Sequence, residues 1–333
     1  MSDSSDIGSN GRTLVDSDLN GSEFEHSFLD DSFIDIQASQ LADFEAPLVR
    51  SKAQNAAKTL GNVDPFANIN ACTSEQVERL ARILEIRGAQ QRQVKMRAAC
   101  FRAAGLSRGM SVLDIGCGTG VVTRELAQFA GSSGQVVGLD VSLQLLEMAR
   151  RTRSPGDTTI EYVHGNAYKL EFPSNSFDAS CAITLLAHIE DLDKVVKEMI
   201  RVTRRTVMLF DQDYQTLVFE NSNTRLTRAI LQCGADYNVL DGWCGRKLAG
   251  LLVRHRLRDV HCWPFVYSER ESQSYLITIA ERFAALAASR GIVTEEEARI
   301  WLQELYDRAV EGTFYASLNY YFSFGTKAGV KTG

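Results

Sequence analysis

Two hydrophobic periods organise this chain. Over 73–105 apolar residues return at helical spacing, as Val77, Leu80, Ala81, Leu84 and, after a break near Gly88, Val94 and Ala98. Thr73 or Ser74 can cap the start. Short β-branched and aliphatic runs then alternate with amphipathic stretches. Strands are predicted at 111–115, 136–140, 159–164, 177–183 and 206–211, with helices opening near Thr119, Ser142 and Asp191. The last of these helices carries Leu192, Val195, Val196, Met199 and Val202 on one face, as a helix packed on a sheet should. This alternation predicts a parallel sheet with crossover helices.

Further helices are predicted at 224–234 and 246–255, and a sixth strand at 260–267. The closing strand has the cleanest period of two: Phe314, Ala316, Leu318, Tyr320, Phe322 and Phe324 face one way, Ser317, Asn319 and Ser323 the other. Between strands six and seven lies a stretch too long for a hairpin turn. In it Tyr275, Leu276, Ile279, Ala280, Phe283, Leu286 and Ala287 recur at helical spacing. Thr294-Glu295-Glu296-Glu297 then forms a capping box before Ala298, Trp301, Leu302, Leu305 and Ala309. The segment 268–312 is thus a two-helix insertion. Its apolar faces must be buried, either as a cover beside the substrate cavity or in a homodimer contact.

Composition divides the chain. Eleven acidic residues and the single basic Arg12 give 1–48 a charge of −10, leaving +4 on the remainder of a chain with formal net charge −6. The segment 1–48 reads as disordered and acidic, 49–72 as a linker, and 73–325 as one domain. No apolar run approaches the roughly 18 residues of a membrane span, and no leader pattern is visible. Seven scattered cysteines without C-x-x-C spacing point to reduced thiols in a cytoplasmic setting and away from a disulfide framework or a metal site. The body has little net charge and no interleaving of basic and aromatic residues, so a nucleic-acid partner is not expected.

The densest chemistry is Asp114-Ile115-Gly116-Cys117-Gly118-Thr119-Gly120, between the first strand and the following helix. Glycines at alternate positions let a ligand approach the backbone and permit positive φ. The spacing is G-x-G-x-G, not the G-x-G-x-x-G of a dinucleotide site, and an acid stands two residues before the first glycine. A carboxylate there would repel a phosphate and suit an ammonium or sulfonium. The ligand invited is a nucleoside carrying positive charge. Asp140 ends the second strand, where an acid can accept both ribose hydroxyls.

Together these residues resemble the class I S-adenosylmethionine-dependent methyltransferases, and Phe177-Asp178, Glu198, Arg201 and Val202 resemble their ubiquinone/menaquinone methyltransferase-like (type 11) subgroup. The resemblance covers roughly 105–211. It implies a Rossmann-like α/β fold: a seven-stranded, mostly parallel sheet with an antiparallel last strand and helices on both faces. It implies S-adenosyl-L-methionine as cofactor, S-adenosyl-L-homocysteine as product, and no metal. The cofactor residues implied are Asp114, Gly116, Cys117, Gly118, Asp140, Val141, Asn166, Ala167 and Thr184. The first helical segment, 73–105, commonly covers the cofactor in this family, and its Gln93 and Arg97 could reach the ligand, although solvated surface is the favoured reading for each. Departures occur at Glu171-Phe172-Pro173, where Leu-Pro-Phe is common, and at Thr203-Arg204-Arg205-Thr206, which replaces the usual Lys-Pro-Gly-Gly turn.

His188 is the catalytic candidate. It can serve as a general base near the methyl group or orient its loop, and the loop role is favoured because unrelated chemistries in the subgroup carry a His there. Asp213 and Tyr214, expected in a loop beyond strand five at the carboxyl edge of the sheet, and Trp243 are substrate-binding candidates. The function expected is methyl transfer to an O, N or C atom of a small organic molecule in biosynthetic or secondary metabolism. The alternatives are an RNA- or protein-directed methyltransferase and a non-catalytic scaffold or partner subunit. The Asn/Asp-Pro-Pro-Tyr motif of base amino-group methylation is absent after strand four.

Overall fold

The computed structural model describes residues 64–153, 159–270 and 274–328. The acidic segment expected at 1–48 lies outside these residues, as does the linker up to residue 63. The linker's last residues belong to the folded body. A 3₁₀ turn at Ile69–Ala71 buries Ile69 against Val77, Leu80 and Ala81 of α1 (Ser74–Ala89). Thr73 and Gln76 close a capping box at the start of α1, and α2 (Gln91–Ala103) follows a break at Gln90.

The predicted alternation then unfolds as β1 (Ser111–Ile115), α3 (Val121–Ala130), β2 (Gln135–Asp140), α4 (Leu143–Thr152), β3 (Ile160–His164), β4 (Phe177–Ile183) and α5 (Leu192–Val202). After it come β5 (Thr203–Phe219), α6 (Thr224–Tyr237), α7 (Leu248–Arg254), β6 (Arg258–Glu269), α8 (Tyr275–Ser289), α9 (Glu295–Glu311) and β7 (Ala316–Thr326). The strands form one seven-stranded sheet in the order β3-β2-β1-β4-β5-β7-β6. Pairings among β1 to β5 are parallel; β7 runs antiparallel between β5 and β6. Chain order reverses between β1 and β4, and the crevice at such a switch point is where an open α/β sheet receives its ligand.

Two departures have local causes. With no proline or glycine after α5, the chain passes directly into β5, and Thr203 Oγ1 donates to Met199 O at 2.7 Å across the junction. Strand β5 also runs well past the expected residue 211, because β7 offers a long antiparallel partner. Asp213 and Tyr214 therefore sit within a strand and not in a loop beyond it.

The insertion buries its apolar faces inside the chain. Phe283 of α8 packs against Gly234 of α6, where an added Cβ would come within 1.8 Å of the ring. Trp301 of α9 lies edge-on to Phe219 and donates its indole N–H to Thr227 Oγ1 at 2.9 Å. All seven cysteines are free thiols, and no described helix is long and apolar enough to cross a membrane.

Candidate cofactor and acceptor site

One cavity of about 560 Å³ opens at the carboxyl ends of β1, β2, β3 and β4. The glycine loop forms its floor. Gly116, Gly118 and Gly120 all have positive φ, at 73°, 55° and 79°, so each needs a conformation that L side chains rarely adopt. A Cβ at Gly120 would fall 2.2 Å from Tyr162 Oη, whereas one at Gly118 would meet only the flexible end of Leu84 at 2.8 Å. Gly120 thus serves packing beneath the loop, and Gly118 keeps the cavity surface open.

Two buried acids hold the loop. Asp114 accepts from Thr123 Oγ1 at 2.6 Å and lies 3.6 Å from Cys181 Sγ; burial pushes its carboxyl up to about 6, against the opposing pull of these bonds. Asp140 accepts from Gly118 N at 2.8 Å through one oxygen and from Ser142 N at 2.9 Å through the other. Burial raises its pKa, and these N–H bonds oppose the rise. Val141 N also bonds this carboxylate, so of its roughly four lone-pair positions these three N–H groups leave one for a ligand.

The remaining residues implied for the cofactor also line this cavity. Cys117 is buried in the loop, and Val141 is exposed beside Asp140. Ala167 lies next to Asn166, whose amide oxygen accepts from Tyr168 N at 2.9 Å and keeps one lone pair. Thr184 follows β4 with φ of 53°, a strained conformation for a β-branched residue. It is held by Thr184 N donating to Phe210 O at 2.6 Å and by Arg87 Nη2 donating to Thr184 Oγ1 at 2.7 Å.

His188 sits at the far end of the cavity, beside Ile189, Phe210 and Leu240. Its Nδ1 lies 2.7 Å from Asp64 Oδ2, and Phe66 packs over the ring at a centroid distance of 5.0 Å. Asp64 also accepts from the backbone nitrogens of Phe66, Ala67 and Leu240. Burial works against the charge on Asp64, but the hydrogen bond and charge of His188 hold its pKa below the usual carboxylate value. An ionised Asp64 can only accept, so Nδ1 carries the hydrogen, and in the neutral ring Nε2 presents a lone pair.

The substrate candidates are divided by the fold. Tyr214 borders a small recess that adjoins the cavity at His188, but Asp213 and Trp243 line neither space. Extension of β5 turns Asp213 into a buried partner of the Arg246 guanidinium, which in turn stacks over the Trp243 ring at 4.6 Å. Gln93 and Arg97, expected on the surface, are both buried and line the cavity; Arg97 pairs with Glu125. Asp64 and Arg87 were absent from the expected set. Asp64 left no local signal. Arg87 did, because it stands on the same helical face as Leu80 and Leu84, where a charge needs a reason.

A Rossmann-like sheet, a glycine loop of positive φ and an acid at the end of β2 define a class I S-adenosylmethionine-dependent methyltransferase domain. Residues 113–210 match the model of a family described as a methyltransferase domain, and within the class these residues fall in the ubiquinone/menaquinone methyltransferase-like, type 11, group. Demethylmenaquinone methyltransferase of Geobacillus stearothermophilus is 34% identical over 140 residues, covering 42% of this chain and 56% of the relative. Ubiquinone/menaquinone biosynthesis C-methyltransferase UbiE of Cronobacter sakazakii is 35% identical over 122 residues, covering 36% of this chain and 49% of the relative. The match thus spans about half the length of these curated relatives. A solved structure from Anabaena variabilis, described as a methyltransferase of an antibiotic biosynthesis pathway, shares the fold. Its TM-score is 0.50 at 20% identity, over 70% of this chain and 97% of that one.

Proposed function

We propose that this chain transfers a methyl group from S-adenosylmethionine to an O, N or C atom of a small organic acceptor in a biosynthetic pathway. One observation carries the reading: a single cavity joins the glycine loop and Asp140 at one end to His188 and an apolar wall of Ile189, Phe210 and Leu240 at the other. Its volume lies in the range of small-ligand sites. Relatives named for menaquinone and ubiquinone biosynthesis agree with an acceptor that rests on apolar side chains.

The residues present fit the cofactor. Glycines let a ligand approach the loop backbone, and Asp140 keeps an acceptor position for a ribose hydroxyl. Asn166 keeps an acceptor for the adenine amino group, and Asp114 places negative charge near a sulfonium. When bound, S-adenosylmethionine supplies an electrophilic methyl group on a good leaving group. The chain's task is chiefly alignment, and orientation of this kind can contribute on the order of 7–11 kcal/mol to the barrier. Asp64 fixes the tautomer and angle of His188, so Nε2 can take a proton from the acceptor as its atom is methylated. This geometry serves both roles considered for His188, since the bond that anchors the loop also readies the ring as a base.

Calorimetry with S-adenosylhomocysteine tests the cofactor half. Incubation with methyl-labelled S-adenosylmethionine and separate small-molecule, RNA and protein fractions tests the acceptor half. Absence of binding in the first assay defeats the proposal, and label appearing only in RNA or protein defeats the acceptor class.

A further inference from the structure

Beyond His188 the cavity gives onto a recess of about 20 Å³, lined by Arg87, Tyr214, Asn238, Tyr275 and Arg282. Arg87 and His188 border both spaces. The recess is rich in donors. Arg87 is bonded to hydroxyls, those of Thr184 and Tyr275, and no described carboxylate pairs with it. Arg282 Nε and Asn238 Nδ2 are buried without a hydrogen-bond partner. Burial raises the pKa of Tyr214, which keeps that phenol a neutral donor. Asp64 also lines the recess, but both its oxygens are engaged by His188 and three backbone N–H groups, and the buried Asp211, which feels the charge of Arg87, accepts from Ala187 N and Gln212 N. Buried donors in native proteins are normally matched, so a cluster of unmatched ones marks the place of an acceptor.

We infer that this recess binds an anionic oxygen of the methyl acceptor, carboxylate or phenolate, with Arg87 as its principal partner. The inference rests on the methyltransferase reading and deepens it. The volume is about that of one water, so it admits an oxygen and not a ring; the body of the acceptor stays in the main cavity beside His188. Tyr214, Asn238, Tyr275 and Arg282 line the recess and not the cavity that holds the glycine loop, and they come from β5, the C-cap of α6, and α8. The oxygen recognised is for this reason assigned to the acceptor and not to the carboxylate of the cofactor. The strained Thr184 gains a function in the same geometry: its hydroxyl ties the Arg87 guanidinium to the rim.

The test uses benzoate and its neutral isostere benzamide as probes, titrated by ligand-observed NMR into the full chain saturated with S-adenosylhomocysteine. Benzoate should bind at least about tenfold more tightly than benzamide, and R87M, compared at saturating S-adenosylhomocysteine, should erase that preference. A 4-nitrophenol arm separates the two sources. If a phenolate is taken, its absorption moves to the ionised form at lower pH than in buffer; if only benzoate binds, the oxygen is a carboxylate. Equal binding of benzoate and benzamide to the wild type overturns the inference, even where R87M fails to fold. So does an undiminished preference for benzoate in folded R87M. If S-adenosylhomocysteine itself does not bind the wild type, the methyltransferase reading falls, and the comparison of the two probes on the free protein still decides the recess.

Discussion

Replacing Asp140 by Asn separates the two tasks this carboxylate is given. In the free protein its oxygens accept from Gly118 N at 2.8 Å and Ser142 N at 2.9 Å. An Asn oxygen can keep one of these bonds, but its amide nitrogen then faces the other N–H, donor to donor. One charge-assisted bond is lost, at about 1.5–3 kcal/mol of folding stability. The same substitution removes an acceptor from the ribose, for a further loss of about 1.5–3 kcal/mol in binding, or roughly 10- to 100-fold in affinity. Asp140→Ala would forfeit both backbone bonds and confuse loop collapse with lost recognition, so Asn is the sharper probe. Thermal unfolding of the free protein reads the first loss, and calorimetry with S-adenosylhomocysteine at a temperature where the variant is folded reads the second. A folded Asp140→Asn protein that binds within about threefold of wild type would refute the ribose assignment.

Four other outcomes are expected. His188→Asn, assayed at saturating cofactor, should lower turnover by about 10²–10⁴-fold; a fall of less than tenfold would leave only the loop-orienting role. Gly118→Ala should weaken S-adenosylhomocysteine binding and lower the melting temperature only by the backbone strain of its positive φ, whereas Gly120→Ala adds to the same strain a Cβ 2.2 Å from Tyr162 Oη and should destabilise the fold further; equal melting temperatures would contradict this division. A chain beginning at residue 50 should keep its fold and cofactor affinity, while one beginning at residue 73 should lose both Ile69 packing and the Asp64 bond to His188 and show a lower melting point. Burial lifts Asp211 from 3.8 to about 6. The folded chain therefore holds a proton that the unfolded chain has released, and this group's contribution to stability falls by about 3 kcal/mol as pH rises through that window. Asp211→Asn should flatten that part of the melting profile, and an unchanged slope would show that Asp211 ionises normally.

The parallel half of the fold was legible because each of its strands is a short buried run closed by a turn signal, and because the helix faces repeat at the spacing of α5. Strand β7 was equally plain from its period of two. The true length of β5 was not, since Gln212 to Phe219 mixes polar and apolar residues and becomes a strand only through pairing with β7. That is a long-range cause, and no window of sequence contains it. The same error carried Asp213 into the set of substrate candidates: read as a loop residue it faces a ligand, whereas in the strand it is a buried partner for Arg246.

The site divides along the same physical line. Asp114, the glycines and Asp140 form a local unit, with the geometry of one βαβ crossover fixing their relations, so the spacing alone brings them together. The acceptor end has no such unit. Asp64 precedes the domain expected from periodicity, Arg87 lies on a covering helix, Tyr214 is deep in β5, and Tyr275 and Arg282 come from the insertion. Each meets the others only because the insertion packs on α6 and the covering helices close over the sheet. A cofactor shared across a class can be met by a short repeated loop, but an acceptor peculiar to one chain needs donors gathered from wherever the fold leaves a face open. Arg87 shows how such a residue can still be found. A guanidinium on the apolar side of an amphipathic helix carries a burial cost that packing cannot offset, and an acceptor of opposite charge can.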